Sequence, residues 1–218
     1  MSGFRFQYIE EWKEADLLLI PEAETNLYEY KSSLTHDDAL GNKISVAASA
    51  LWNSGGGIFI AGVNNQGEID GGITSKVGKQ SREDWADRQI RKTEPPGKYW
   101  INPITPDSDN SPIKSDHIVL VIGFEESNVA PHMAYDNRYY LRLGAHSESA
   151  THFLVEAIRA KRAIQTPILR AILRHSEHKS HIIELAIIVL NDAAALGVEI
   201  TFDPIQSYLI YILAIDFL

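Results

Sequence analysis

The chain has 218 residues, 44% of them hydrophobic, and 29 acidic against 20 basic side chains give a formal charge of −9. With 14 Gly and 9 Pro this excludes fibrous, collagen-like and disordered classes, and the lack of any cysteine excludes disulfides, thiolate metal sites, iron–sulfur clusters and cysteine nucleophiles. Cytoplasmic localisation is the default expectation, and net acidity argues against a generic polyanion binder while leaving room for local basic patches. The first 24 residues carry six acidic side chains and an apolar run of only four, unlike a secretory leader. No segment reaches the ~18 apolar residues of a spanning helix, so no membrane partner is expected.

Along the chain, Tyr28 and Tyr30 alternate with Leu27, Glu29 and Lys31. That period of two predicts a half-exposed strand with Glu29 and Lys31 on its wet face. Leu40, Ile44, Ala47, Ala48 and Leu51 recur at three and four, which predicts an amphipathic helix over 38–53, with Thr35 and Asp38 as its capping box. Gly55-Gly56-Gly57 end it. Because these glycines follow a helix, they face the negative end of its dipole, so a helix C-cap outweighs a phosphate cradle. Asn53 is expected to order this turn through its side chain.

The apolar run 58–63 predicts a buried strand, closed by the turn residues Asn64-Asn65-Gln66-Gly67. Residues 72–80 lack the spacing and the Ser/Thr of a P-loop. Ser81 with Asp84 starts a second helix through Trp85, Gln89 and Ile90, stopped by Pro95-Pro96. Residues 117–124 and 138–144 read as strands, and 147–162 as a helix. Strands and helices interleave to about residue 165, which predicts an α/β (α+β) domain over 1–165. A β-rich tail over 166–218 follows, with strands at 182–190, 198–202 and 208–218. So few apolar strands call for docking on the first domain or on another chain, a homo-oligomer among the options, or for a truncated β-sandwich.

Four segments, 24–31, 48–57, 60–67 and 139–145, taken together resemble the Schlafen-type AlbA-like domain. Its pattern is E-S-x-x-x-E-F-K, a helix ending A-x-A-N-T-x-G-G, a strand I-G-V-D-D-x-G and a late Y-x-R-x-G. The resemblance covers about 20–163. It implies a nucleic-acid-binding mixed sheet with flanking helices, found in regulators and defence proteins. In vertebrate Schlafens it implies a metal-dependent endoribonuclease acting on tRNA-like RNA. The nuclease carboxylates fall on Glu24, Glu29 and, as a departure, Asn65, whose neutral carbonyl replaces the charge that Mg²⁺ or Mn²⁺ favours.

Two readings stand open at each candidate. Glu24 and Glu29 are metal ligands or solvated carboxylates, and Asp70 is a substitute third ligand or a hairpin residue pointing elsewhere. Lys31 contacts a scissile phosphate or forms a surface ion pair. Arg142 grips phosphate with its fork of donors or pairs with a carboxylate such as Glu148. Residues 76–98 hold seven basic against four acidic side chains. Lys76, Lys79, Arg82, Arg88, Arg91 and Lys92 are therefore candidate phosphate contacts, Arg88, Arg91 and Lys92 sharing a helix face. Tyr99 and Trp100 stack on bases or sit in the core. The expectation is a nucleic-acid-binding domain for RNA or DNA, with no certain cofactor. The alternatives are an endoribonuclease using Mg²⁺ or Mn²⁺ and a protein-interaction module.

Overall fold

The computed structural model describes residues 6–164, 169–175 and 183–189. The chain divides into two compact units, Met1–Arg159 and Ala160–Leu218.

In the first unit two 3-10 helices, Phe6–Glu11 and Glu14–Leu19, precede β1 (Tyr28–Lys31), α1 (Asp37–Trp52) and β2 (Gly57–Ala61). The two-residue strands β3 (Ile73–Thr74), β4 (Lys76–Val77) and β5 (Gln80–Ser81) follow. Then come α2 (Arg82–Ile90), β6 (Tyr99–Ile104) and β7 (His117–Phe124). A hairpin of β8 (Tyr140–Leu143) and β9 (His146–Ser149) leads into α3 (His152–Ile164). β1 is parallel to β2, and β7 lies antiparallel between β2 and β6, with β3 paired to its first residues. The mixed α+β architecture expected from the interleaved pattern is present.

Alternation along β2 and β7 splits the core into two layers. Phe59, Ala61, Leu120, Ile122 and Phe124 pack with Leu40, Ile44, Ala48 and Leu51 of α1 and with Trp85 and Ile90 of α2. Ile58, Ile60, Val119 and Val121 point the other way, against Tyr30, Ile9 and Leu17. Both apolar runs are therefore strands covered on two faces, the 3-10 helices doing on one side what α1 and α2 do on the other. Since Tyr30 belongs to the 3-10 side, strand period two sends Glu29 and Lys31 toward α1.

The helix ends are set locally. Ser81 Oγ accepts the Asp84 N–H at 3.1 Å, capping α2 as the sequence predicts. α1 is capped instead by His36, whose Nδ1 accepts the Asp38 N–H at 3.5 Å, while the Thr35 N–H closes a turn onto Ser32 O at 3.0 Å. At the far end the Gly56 N–H returns to Leu51 O at 2.8 Å. Gly57, at φ +156°, admits no side chain: a Cβ there would lie 2.6 Å from Leu51 Cδ2 and 2.8 Å from Leu27 O.

Three elements differ from expectation. β6 escapes the sequence pattern because it contains Asn102 and Pro103, tolerable on a sheet edge. Asn102 there ties down the N-terminal turns by donating to Ile9 O and Trp12 O at 2.6 and 2.9 Å. The helix expected from 147 starts only at His152, because 146–149 pair with β8. In the second unit β11 (Ile183–Val189) falls where a strand is expected, and its antiparallel partner β10 (Leu169–His175) is additional. The strands expected at 198–202 and 208–218 lie outside the described residues.

Candidate nucleic-acid interface

A polar seam on α1 positions the site. Ser45, Ser49 and Asn53 are spaced by four and so share one helix face. Ser45 Oγ accepts the Tyr135 N–H at 3.0 Å. Ser49 Oγ donates to His132 O at 2.7 Å and accepts the Tyr140 N–H at 3.0 Å. Asn53 donates to His132 O and Tyr140 O, both at 3.0 Å, and accepts the His132 N–H at 2.8 Å. Ser54 Oγ then accepts the Arg142 N–H at 2.8 Å. The helix thus holds β8 in register and delivers Arg142 to β1. Asn53 orders this junction as well as its own turn.

His132 sits fully buried in this seam, its ring 5.0 Å from that of Trp52. Its Nδ1 donates to Pro95 O, and its Nε2 has no partner among the described residues. Burial pushes its pKa below the ordinary histidine value, outweighing the bond to Pro95, which raises it. As pH falls below about 6.5 the unfolded chain takes up a proton that the folded one refuses, so stability is lost with acidification, at most about 1.4 kcal/mol per pH unit. Urea unfolding followed by tryptophan fluorescence between pH 7.5 and 5 is expected to show this slope, flattened in His132→Gln.

Four charged groups meet at β1: Glu29 and Lys31 of the strand, Glu24 ahead of it and Arg142 of β8. Glu29 is only 5% exposed and Arg142 6%. Arg142 Nη1 lies 2.9 Å from Glu29 Oε2, and Ser147 Oγ donates to the same oxygen at 3.1 Å. Arg142 also donates to Tyr28 O at 2.8 Å and to Thr25 O at 3.0 Å. Lys31 Nζ stands 3.0 Å from Glu29 Oε1, 3.3 Å from Glu24 Oε1 and 2.7 Å from Tyr30 O. Glu24 Oε1 accepts the Tyr30 N–H at 2.7 Å. The expected wet face of β1 is therefore dry at Glu29, because Arg142 arrives across it. Its ion-pair partner is Glu29, not Glu148. Glu24 is half-buried rather than freely solvated.

The cleft beside this quartet has two contiguous lobes of about 480 and 490 Å³ sharing Glu24, Lys31, Lys43 and Ala145. Asn65 and Thr35 line the first lobe, and Tyr135, Tyr140 and His146 the second. Lys43 is exposed and has no ion pair among the described residues. It escaped the sequence reading because only its position on α1, facing β1, distinguishes it from any surface lysine.

The resemblance implies a divalent ion at Glu24 and Glu29. The donor set does not fit one: the ammonium of Lys31 stands where the two carboxylates converge, Arg142 and Ser147 hold the other Glu29 oxygen, and the third position is the neutral Asn65. Asp70 is committed elsewhere, accepting from Ser32 Oγ at 2.6 Å and the Ser33 N–H at 3.0 Å. Among the described residues no three His, Asp or Glu side chains are grouped to hold a metal.

The candidate phosphate contacts separate by burial. Arg82 is 2% exposed, donating to Asp37 at 2.7 Å and Thr74 O at 2.9 Å and lying over the Trp85 ring at 4.8 Å. Arg91 is exposed but tied to Asp87 at 2.8 Å. That bond, with burial opposing, holds the Asp87 carboxyl below the usual range. Lys76, Lys79, Arg88 and Lys92 are exposed and have no ion pair among the described residues. Tyr99 and Trp100 are half-buried, packing against the two core layers.

The family model described as Schlafen, AlbA_2 matches residues 24–151, spanning all four sequence segments. No curated protein matches the chain. Among solved structures, the DIP2311 protein from Corynebacterium diphtheriae is similar at a TM-score of 0.49 and 13% identity, over 80% of this chain and 32% of that one. This chain thus spans about a third of that structure's length. With more than half of its residues matched by the family model, including Glu24, Glu29, Asn53 and Arg142, the chain belongs to the Schlafen AlbA_2 family.

Proposed function

We propose that the first unit binds the phosphate backbone of RNA or DNA without cleaving it, in a regulatory or defence role. The observation that carries this is the charge state of the cleft. Both carboxylates are matched by internal cations, Lys31 and Arg142, so the exposed Lys43 leaves the cleft with a net positive charge inside an acidic protein. Family membership supports nucleic acid as the partner. Lys76, Lys79, Arg88 and Lys92 extend the set of free cations, while Arg82 and Arg142 act within the fold.

Affinity of this kind falls with salt as counterions are released. Filter binding of a 20-mer over a potassium chloride series is expected to give a linear log–log plot. Lys43→Ala and the double Arg88→Ala/Lys92→Ala each weaken binding about threefold to tenfold at low salt and reduce the slope by roughly one per lost phosphate contact. No binding to any nucleic acid at low salt would leave a protein-interaction module in its place.

A second function, metal-dependent endoribonuclease, is favoured by one observation: Glu24 Oε1 and Glu29 Oε1 converge on a single point, now taken by Lys31 Nζ. It requires tRNA fragments that appear with Mn²⁺, vanish with EDTA and are lost in Glu29→Ala. Association of copies through the strands of the second unit is proposed separately, since the two-stranded sheet found there among the described residues is marginal alone.

A further inference from the structure

A groove that reads phosphate alone needs cations along it, yet the α1 side of the second lobe is mostly uncharged. Ala39, Asn42, Lys43 and Val46 follow one another at three and four along α1 and share the face that lines this lobe. Lys43 is the one charged side chain among these four. Ala39 and Val46 bring methyl groups, and the half-buried Asn42 brings an amide with no hydrogen bond to any described residue. Tyr135 and Tyr140 line the same lobe.

Both tyrosines are fixed from behind. Tyr140 is clamped through its backbone to Ser49 and Asn53, and its hydroxyl donates to Asp136 Oδ2 at 2.7 Å. Tyr135 sits on a tight turn in which the Asn137 N–H reaches Ala134 O at 3.0 Å and the Ala134 N–H reaches Arg138 O at 2.8 Å. Asn137 takes a positive φ of 61° there, and the Tyr135 N–H is pinned to Ser45 Oγ. The side chain that this turn carries is 41% exposed, and its hydroxyl has no partner among the described residues. The core gains little from such a ring. Aromatic rings beside methyl groups, an amide and an ammonium match the parts of one nucleotide: a base face to stack, a base edge to hydrogen-bond and a phosphate. The volume of the lobe, about 490 Å³, falls within the range of about 300–1,000 Å³ that small-molecule sites occupy.

We infer that the second lobe is a nucleobase pocket, in which one unpaired base of a bound strand stacks on Tyr135, meets the Asn42 amide with its edge and leaves its phosphate on Lys43. The inference rests on the proposed nucleic-acid binding and adds a substrate class to it, strands with unpaired bases. Bases inside a duplex are stacked on one another and closed to such a pocket. Charge alone favours the opposite order, because a duplex packs its phosphates more densely.

The test measures binding of the full chain to labelled 20-mers by fluorescence anisotropy across a salt series. The probes are an unstructured single strand, its duplex and an abasic strand of the same sugar and length, in DNA and in RNA. With the sugar that binds more tightly, the single strand is expected to bind about fivefold or more tighter than its duplex and its abasic counterpart. Tyr135→Leu weakens single-strand binding about fivefold to fiftyfold at every salt concentration, leaving the salt slope, abasic binding and the urea midpoint unchanged. Tyr135→Phe keeps most of the wild-type affinity, and Asn42→Ala weakens it about threefold. Duplex binding as tight as single-strand binding, or full single-strand affinity in Tyr135→Leu, overturns the inference and leaves the phosphate cleft standing. No binding of any probe at low salt overturns both.

Discussion

Replacing Arg142 with methionine is expected to destabilise the first unit by about 3–5 kcal/mol, the cost of leaving one member of a buried ion pair behind. The guanidinium is one partner of a carboxylate that is 5% exposed, and it also satisfies the carbonyls of Thr25 and Tyr28. Methionine fills much of the same volume, so the loss reports charge and hydrogen bonding more than a cavity. Lys31 stays beside Glu29, which places the effect toward the lower end of that span. In the double variant Glu29→Gln/Arg142→Met the orphaned charge is gone, and a large part of the loss is expected to return. A double-mutant cycle in urea reads the coupling directly. Additive single effects would contradict the pairing.

Arg82→Met is expected to cost about 2–4 kcal/mol in stability, and to leave the salt slope of nucleic-acid binding unchanged in the protein that remains folded. Its side chain is 1% exposed, bridging the first turn of α1 at Asp37 to the Thr74 carbonyl while covering Trp85. Arg88→Ala and Lys92→Ala are expected to show the reverse, little change in urea midpoint and a lowered salt slope. The two groups come from one basic stretch, Arg82 and Arg88 on α2 and Lys92 two residues past its end, so the helix face expected to carry Arg88, Arg91 and Lys92 stops at Ile90. Burial alone assigns them different work, and measuring midpoint and slope for each variant checks the division.

That division marks the limit of what the sequence discloses. The apolar runs at β2 and β7, the three-and-four spacing of α1 and the Ser81 cap of α2 are local patterns, and the fold follows them. β6 and the β8–β9 hairpin depend on partners distant in sequence: Pro103 is tolerable only at an edge, and Ser147 joins a strand only because Tyr140–Leu143 lies alongside. In the site, the family's glutamates, lysine, asparagine and late arginine can be found by motif. Their arrangement cannot, because Arg142 meets Glu29 from 113 residues away. Ser45 and Ser49 carried a signal, small polar residues on the buried stripe of an otherwise apolar helix. Lys43 carried none.

The most direct measurement is binding and cleavage of labelled tRNA and of single- and double-stranded DNA by the wild-type chain, read from the same gels in Mn²⁺ and in EDTA at matched ionic strength. A metal-independent phosphate-binding cleft predicts a shift of equal affinity in both buffers, lost as salt rises, and intact nucleic acid throughout. Fragments that form with Mn²⁺ and not with EDTA would contradict it, placing a divalent ion where Lys31 now stands.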